Sequence, residues 1–406
     1  MAERIAAAPR PHDNDRPLWR GPCGGGPLGG ITQSMLVRFL SCRERFRLKY
    51  VLGLEPHDKW TKTLGYGNMW HVCEEAHAAI GGMWQDRLNE HTEEQLYLYP
   101  MQRDEILKWY QVCRIQFPEY VKHWADHPDV LNRTPLMQEQ VFDVPYLLPS
   151  GRTVRLRGKF DSVDLIDGGA YLQENKSKGD IDKVQVERQL RFDLQTMMYL
   201  VALLNEPSCD LPRDGHYRWG GGNGVPVGEY PVLGVRYNVV RRPLSGGAGS
   251  IKQGEGTKGT KCGRKSCREA PSPSCEKCRG TGRHDAMPPE TDEEFYERLR
   301  RDYIAADPGH WFFRVRAEVS QRDIDVFRET CLDPLLEHLC WWYEEIVSYG
   351  PSRLKLNILQ PPMNYRTPFG VWSALEEGGS TEYDYYMETS SDAGLRRVDT
   401  LFTELQ

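Results

Sequence analysis

Residues 153–179, TVRLRGKFDSVDLIDGGAYLQENKSKG, constrain this chain more than any other stretch. Strand-like segments over 152–166 and 171–178 flank DGGA, a tight-turn signal, and together they read as an antiparallel hairpin. A turn centred on Gly168 and Gly169 sets Leu165 opposite Leu172, Val163 opposite Glu174 and Asp161 opposite Lys176. Opposed residues share a face, and so do residues two apart. Asp161, Glu174 and Lys176 are therefore expected on one face, and a one-residue slip would turn Asp161 to the other. A half-buried strand normally points Val or Ile inward. Either this face meets water and carries a cross-strand ion pair, worth at most about 1 kcal/mol, or it is a site.

As a site, two carboxylates and an amine suit a hard divalent cation, because oxygen ligands hold Mg²⁺ while it keeps waters and a substrate phosphate in its shell. The cation lowers the pKa of a water and neutralises phosphate charge. The lysine can orient or deprotonate that water and stabilise a pentacovalent state.

Around the hairpin, a helix is expected over 34–54, with Ser34 as its N-cap and Leu36, Phe39 and Leu40 as its apolar stripe. A second helix covers 68–80, and more fill 94–126. Strand character begins at QEQVFDVPYLL, 138–148. After the hairpin come one helix over 186–204, a strand over 232–242, and helices over 292–304 and 321–347. The tail from Pro361 reads as irregular. This order implies an α/β or α+β class with a central mixed sheet flanked by helices. The expected division is a disordered tail (1–30), a core (31–242), a cysteine-rich insertion (243–290) and a helical region packing on the core (291–406).

With 406 residues and 39% hydrophobic content, the chain can bury one large core or two modest ones. Its net charge of −6 supplies no global basic field, so any nucleic-acid binding has to come from local patches. No apolar run approaches membrane-span length, and the first fifteen residues have no hydrophobic core. A cytoplasmic location is expected. There, clustered cysteines mean metal more often than disulfides.

The insertion carries Cys262, Cys267, Cys275 and Cys278, two close pairs separated by a Pro/Ser loop. This arrangement suits a tetrahedral zinc site, structural because all four positions are filled; the alternative is a loop of free thiols. CEKCRGTG also resembles a zinc knuckle of the cysteine-rich chaperone type. Lys252 to Arg283 holds nine Lys/Arg against three Glu, which makes it the best candidate for a phosphate-binding patch.

The ordered set GKFDSVDLI, YLQENKSKG and QLRFDLQTMMYLVAL resembles the PD-(D/E)XK nuclease superfamily, in its RecB-like, CRISPR-associated exonuclease branch. There a Gly-x-x-Asp strand, here Gly158 and Asp161, precedes a Glu-x-Lys strand, here Glu174 and Lys176. A helix with Gln-x-x-x-Tyr follows, here Gln195 and Tyr199. Glu139 takes the place of the first acidic motif, Ser34 to Phe46 that of the N-terminal helix, and Gly67 and His71 that of the next. The resemblance implies a restriction-endonuclease-like core in which His71, Asp161 and Glu174 ligate Mg²⁺ or Mn²⁺ with the Asn175 carbonyl. It also implies Lys176 as catalytic lysine, and Gln195 and Tyr199 as holding the DNA backbone or orienting the site. Many members of the branch hold an iron–sulfur cluster through a first-helix cysteine and three near the C-terminus. Cys42 stands at the first place, but residues 361–379 contain no cysteine. Four thiolates are the usual requirement. No cluster is therefore expected, Cys42 is a buried thiol, and the C-terminal region is locked through Trp341, Trp342 and Trp372.

The expected function is a metal-dependent DNA nuclease, an exonuclease or a processor of ends and single strands, with a helicase or recombination partner. The alternative is a nuclease-fold module that binds DNA or protein through its zinc insertion without cutting. A hydrolase centred on the cysteines is disfavoured, because a filled zinc shell leaves no open position.

Overall fold

In the computed structural model, the described residues are 17–41, 43–56, 60–80, 83–190, 193–205, 231–244, 250–255, 273, 275, 289–349 and 395–405. The hairpin forms as β3 (Thr153–Ile166) and β4 (Gly169–Lys178). Its loop is the two residues Asp167 and Gly168, both at positive φ (52° and 85°), the conformation a two-residue hairpin turn requires. The register therefore lies two residues from the expected one: Val163 faces Leu172 and Ser162 faces Gln173. Asp161 falls beside the Glu174–Asn175 peptide rather than opposite Lys176.

A long β2 (Arg133–Leu147) precedes β3, and β5 (Val232–Arg241) runs parallel to β4. The five-stranded order is β2-β3-β4-β5-β6, with every pair but β4/β5 antiparallel. The sequence reading does not anticipate β6 (Phe312–Glu318), although Phe313 and Val315 alternate there with Arg314 and Arg316. A short β1 (Leu54–Pro56) pairs with β7 (Leu395–Arg397).

Helices cover both faces. On one side lie α1 (Gln33–Ser41), α2 (Arg43–Phe46) and α8 (Leu194–Asn205), over a core that includes Phe142, Leu156, Phe160, Leu172 and Val235. On the other lie α3 (Lys62–Ile80), α4 (Trp84–Leu98) and α5 (Arg103–Trp124), around Trp70, Trp109 and Phe117; the four-residue α6 (Pro128–Leu131) follows. The cap of α1 is Thr32, whose hydroxyl accepts from the Met35 N–H at 3.4 Å, and Ser34 sits inside the first turn. The single helix expected over 186–204 is two. After α7 (Lys183–Leu190), Asp193 starts α8 by accepting from the Thr196 N–H at 2.9 Å. A carboxylate that caps one helix is a poor interior residue for a longer one.

Residues 17–30 are not a disordered tail. Trp19 is fully buried, donates to the Gly30 carbonyl at 2.8 Å, and packs edge-on against Phe46 and Tyr343. The Gly/Pro turns carry carbonyls to Arg155, which reaches Gly24 and Gly26, and to Arg157, which reaches Pro27 and Gly29. Residues 1–16 lie outside the described ones. Helix Asp333–Tyr349 docks on α1 and α2 through Trp342, 5.3 Å from Phe39 and 5.5 Å from Phe46. Trp341 is 48% exposed and takes no part in that lock; Trp372 and the rest of the tail from Pro361 to Gly394 lie outside the described residues. Among the described residues, no helix is long and apolar enough to cross a membrane.

Candidate metal centre

Helix α3 crosses β4 closely: a Cβ on Gly67 would stand 3.4 Å from Ser177 Oγ. One turn on, His71 Nδ1 lies 3.8 Å from Glu139 Oε1 and 3.9 Å from Asp161 Oδ2. Glu139 sits within β2 at φ 48°, a left-handed conformation that costs a side-chain-bearing residue energy and often marks a functional position. Core residues of β2 are even-numbered after it (Phe142, Val144, Tyr146), and Met137 joins the same core before it. On β3, even-numbered Val154, Leu156 and Phe160 likewise give way to Val163. Both strands thus change face at Glu139 and Asp161, which frees these two carboxylates from the regular pleat.

Asp161 Oδ2 accepts the Asn175 backbone N–H at 2.7 Å, so a side chain takes the place of the next ladder bond. Glu174 Oε1 accepts from Lys176 Nζ and from Gln195 Nε2, the latter at 2.6 Å. Lys176 Nζ also donates to Gln195 Oε1 at 2.9 Å. Gln195 reaches the strand because Asp193 starts α8 just before it.

His71, Glu139 and Asp161 each offer one donor atom, all within 4.8 Å of one another. The set differs by one member from the His71, Asp161 and Glu174 implied by resemblance: Glu139 joins, while Glu174 is held by Lys176 and Gln195. Among the described residues, two buried carboxylate oxygens lack a hydrogen bond: Glu174 Oε2, and Glu139 Oε1, which faces His71 Nδ1 at 3.8 Å. A buried carboxylate oxygen without a donor is costly unless a cation satisfies it. This donor set, one imidazole and hard oxygens, fits Mn²⁺ or Mg²⁺.

Burial raises Glu174 to about 7, with repulsion from Asp161 adding to it and Lys176 opposing. Asp161 is raised by burial. Burial pulls His71 down, but Asp161 and Glu139 outweigh it and hold the imidazole at about 9. Burial also pulls Lys176 down, and Glu174 overcomes it to keep the group above the ordinary lysine value.

Tyr199 is a core residue: its ring packs edge-on against Phe142 and Phe160. Cys262, Cys267 and Cys278 lie outside the described residues, as does Cys42; Cys275 is buried. Sequence reasoning missed Lys159, whose Nζ lies 2.6 Å from Glu139 Oε2. The available signal was its position two residues before Asp161 on the same strand.

A family model for the PD-(D/E)XK nuclease superfamily matches residues 31–304. No curated protein matches the chain.

Proposed function

The chain belongs to the PD-(D/E)XK nuclease superfamily, and on that premise we propose that it is a Mg²⁺- or Mn²⁺-dependent deoxyribonuclease of the RecB-like branch, acting on DNA ends or single strands. The observation that carries this reading is the convergence of His71, Glu139 and Asp161 donor atoms within 4.8 Å, beside buried carboxylate oxygens of Glu139 and Glu174 that lack a hydrogen bond among the described residues. His71, Glu139 and Asp161 would hold the cation, with Glu174 free to turn its second oxygen toward it. When bound, the cation supplies Lewis-acid polarisation of the phosphate and a lower pKa for the attacking water.

The rest is the work of the chain's own side chains. Lys176 stays protonated and offers its charge to the phosphoryl oxygens as negative charge builds on them. Gln195 bonds both Lys176 and Glu174 and so sets their spacing. The Asn175 N–H fixes Asp161. Lys159 balances the charge of Glu139. Tyr199 supports this arrangement from the core. The two close cysteine pairs of the sequence support the reading that Cys262, Cys267, Cys275 and Cys278 form a structural zinc site.

The test is cleavage of end-labelled single- and double-stranded DNA in Mg²⁺, Mn²⁺ and EDTA. Wild type should cut only with a divalent cation. Asp161→Ala, Glu174→Ala and Lys176→Ala should each lose about 10²-fold or more while keeping their circular dichroism spectra. Cation-independent cutting, or undiminished cutting by the folded variants, overturns the reading. Cation-dependent DNA binding without cutting would favour the non-cleaving module instead.

A further inference from the structure

Behind the cleavage residues, on the side of the sheet facing α3 and α5, lies a polar cluster centred on Asn238. Asn175 and Asn238 are paired neighbours on the parallel strands β4 and β5, both nearly fully buried. Asn238 Nδ2 lies 3.0 Å from Asn175 Oδ1, 3.0 Å from Glu74 Oε1 and 2.7 Å from the Tyr120 hydroxyl. These three acceptors come from three elements. Asn175 is the residue between Glu174 and Lys176, and its backbone N–H holds Asp161. Glu74 is one turn from His71 on α3, and Tyr120 is on α5. Gln173 Nε2 adds a second bond to Asn175 Oδ1 at 3.2 Å.

The carboxamide thus ties the strand that carries Glu174 and Lys176 to the helix that carries His71. Apolar packing could hold α3 on the sheet, but it tolerates sliding. Hydrogen bonds resist sliding because they weaken steeply with distance and angle, and Asn238 Nδ2 has two N–H groups to share among these three acceptors. Five polar side chains stand here where apolar ones would pack without desolvation cost.

We propose that Asn238 is a positioning residue that fixes the distance from His71 to Asp161 and thereby sets divalent-cation affinity. The proposal rests on the metal-nuclease reading above. Asn238→Ala, together with the milder Glu74→Gln and Tyr120→Phe, is to be compared with wild type in the full-length protein. Mn²⁺ affinity is read by calorimetry, kcat and KM on a labelled oligonucleotide at saturating Mn²⁺, and Tm by circular dichroism. Residues that orient metal ligands typically change metal affinity or activity 10- to 100-fold. The expected result for Asn238→Ala is Mn²⁺ binding weakened about tenfold or more and a lower kcat, with KM for the oligonucleotide unchanged. A lower Tm with wild-type Mn²⁺ affinity and kcat would assign Asn238 to stability alone and overturn the proposal. If Asn238→Ala does not fold, Glu74→Gln and Tyr120→Phe decide it: weaker Mn²⁺ binding in both supports the cluster, and wild-type binding in both overturns it. Wild type that binds no Mn²⁺ overturns the nuclease reading itself and this proposal with it, an outcome distinct from a variant that binds as wild type does.

Discussion

Glu174 shares one carboxylate between Lys176, Gln195 and the field of Asp161, and it does so almost wholly out of water. Its value near 7 in the metal-free protein lies above the roughly 4.3 of an unfolded glutamate. A raised acid means the folded state holds a proton that the unfolded chain has released. The associated stability is complete below the unfolded value and is lost as pH rises through 7. Glu174→Gln mimics the protonated form. In EDTA it should stabilise the protein at pH 8 by on the order of 1–3 kcal/mol and much less at pH 5, while abolishing cleavage. Thermal melts at the two pH values check this, and an equal gain at both would contradict the assigned cause. Tyr199→Phe removes a buried hydroxyl hydrogen-bonded to the Lys159 backbone while keeping the ring packing, so turnover should stay within about threefold of wild type. A hundredfold loss would return Tyr199 to the substrate.

Among the elements, the seat of α8 on the sheet depends on Gly158. A Cβ there would stand 2.4 Å from the Phe142 ring and 3.1 Å from the Tyr199 ring. Because α8 delivers Gln195 to Glu174, this packing also sets the site. Gly158→Ala should cost about 1–3 kcal/mol through overpacking, seen as a lower urea midpoint at unchanged slope. An unchanged midpoint would mean that the helix and sheet are not in contact at this point. The face change at Glu139 and Asp161 belongs to the same scale. Glu139 and Asp161 fall opposite each other, between the pairs Gln138/Ser162 and Gln140/Phe160, so they share a face, and the left-handed Glu139 marks where β2 leaves the regular pleat.

For the whole molecule, the segment from residue 17 to 30 closes the larger core. Trp19 meets Phe46 from the start of the chain and Tyr343 from the C-terminal helix, and the Gly/Pro carbonyls satisfy Arg155 and Arg157. Trp19→Ala should cost about 3–5 kcal/mol, lowering Tm with the divalent-cation affinity of the folded protein unchanged. A Tm within a degree of wild type would show the segment to be dispensable.

The alternating strands, the DGGA turn, the amphipathic α1 and the acid-acid-lysine pattern were all readable from residue order, because each depends on neighbours within a few positions. The superfamily was readable for the same reason, since its motif residues lie on two adjacent strands and one following helix. The two-residue shift in register came from turn chemistry: Asp167 accepts a left-handed backbone, which moves the turn off Gly168 and Gly169. Tertiary structure alone decided that Glu139 joins His71 and Asp161, that Lys159 balances it, that Tyr199 is core, and that the Gly-rich start of the chain is packed. Those outcomes join residues far apart in the chain, through burial and desolvation that no local pattern encodes.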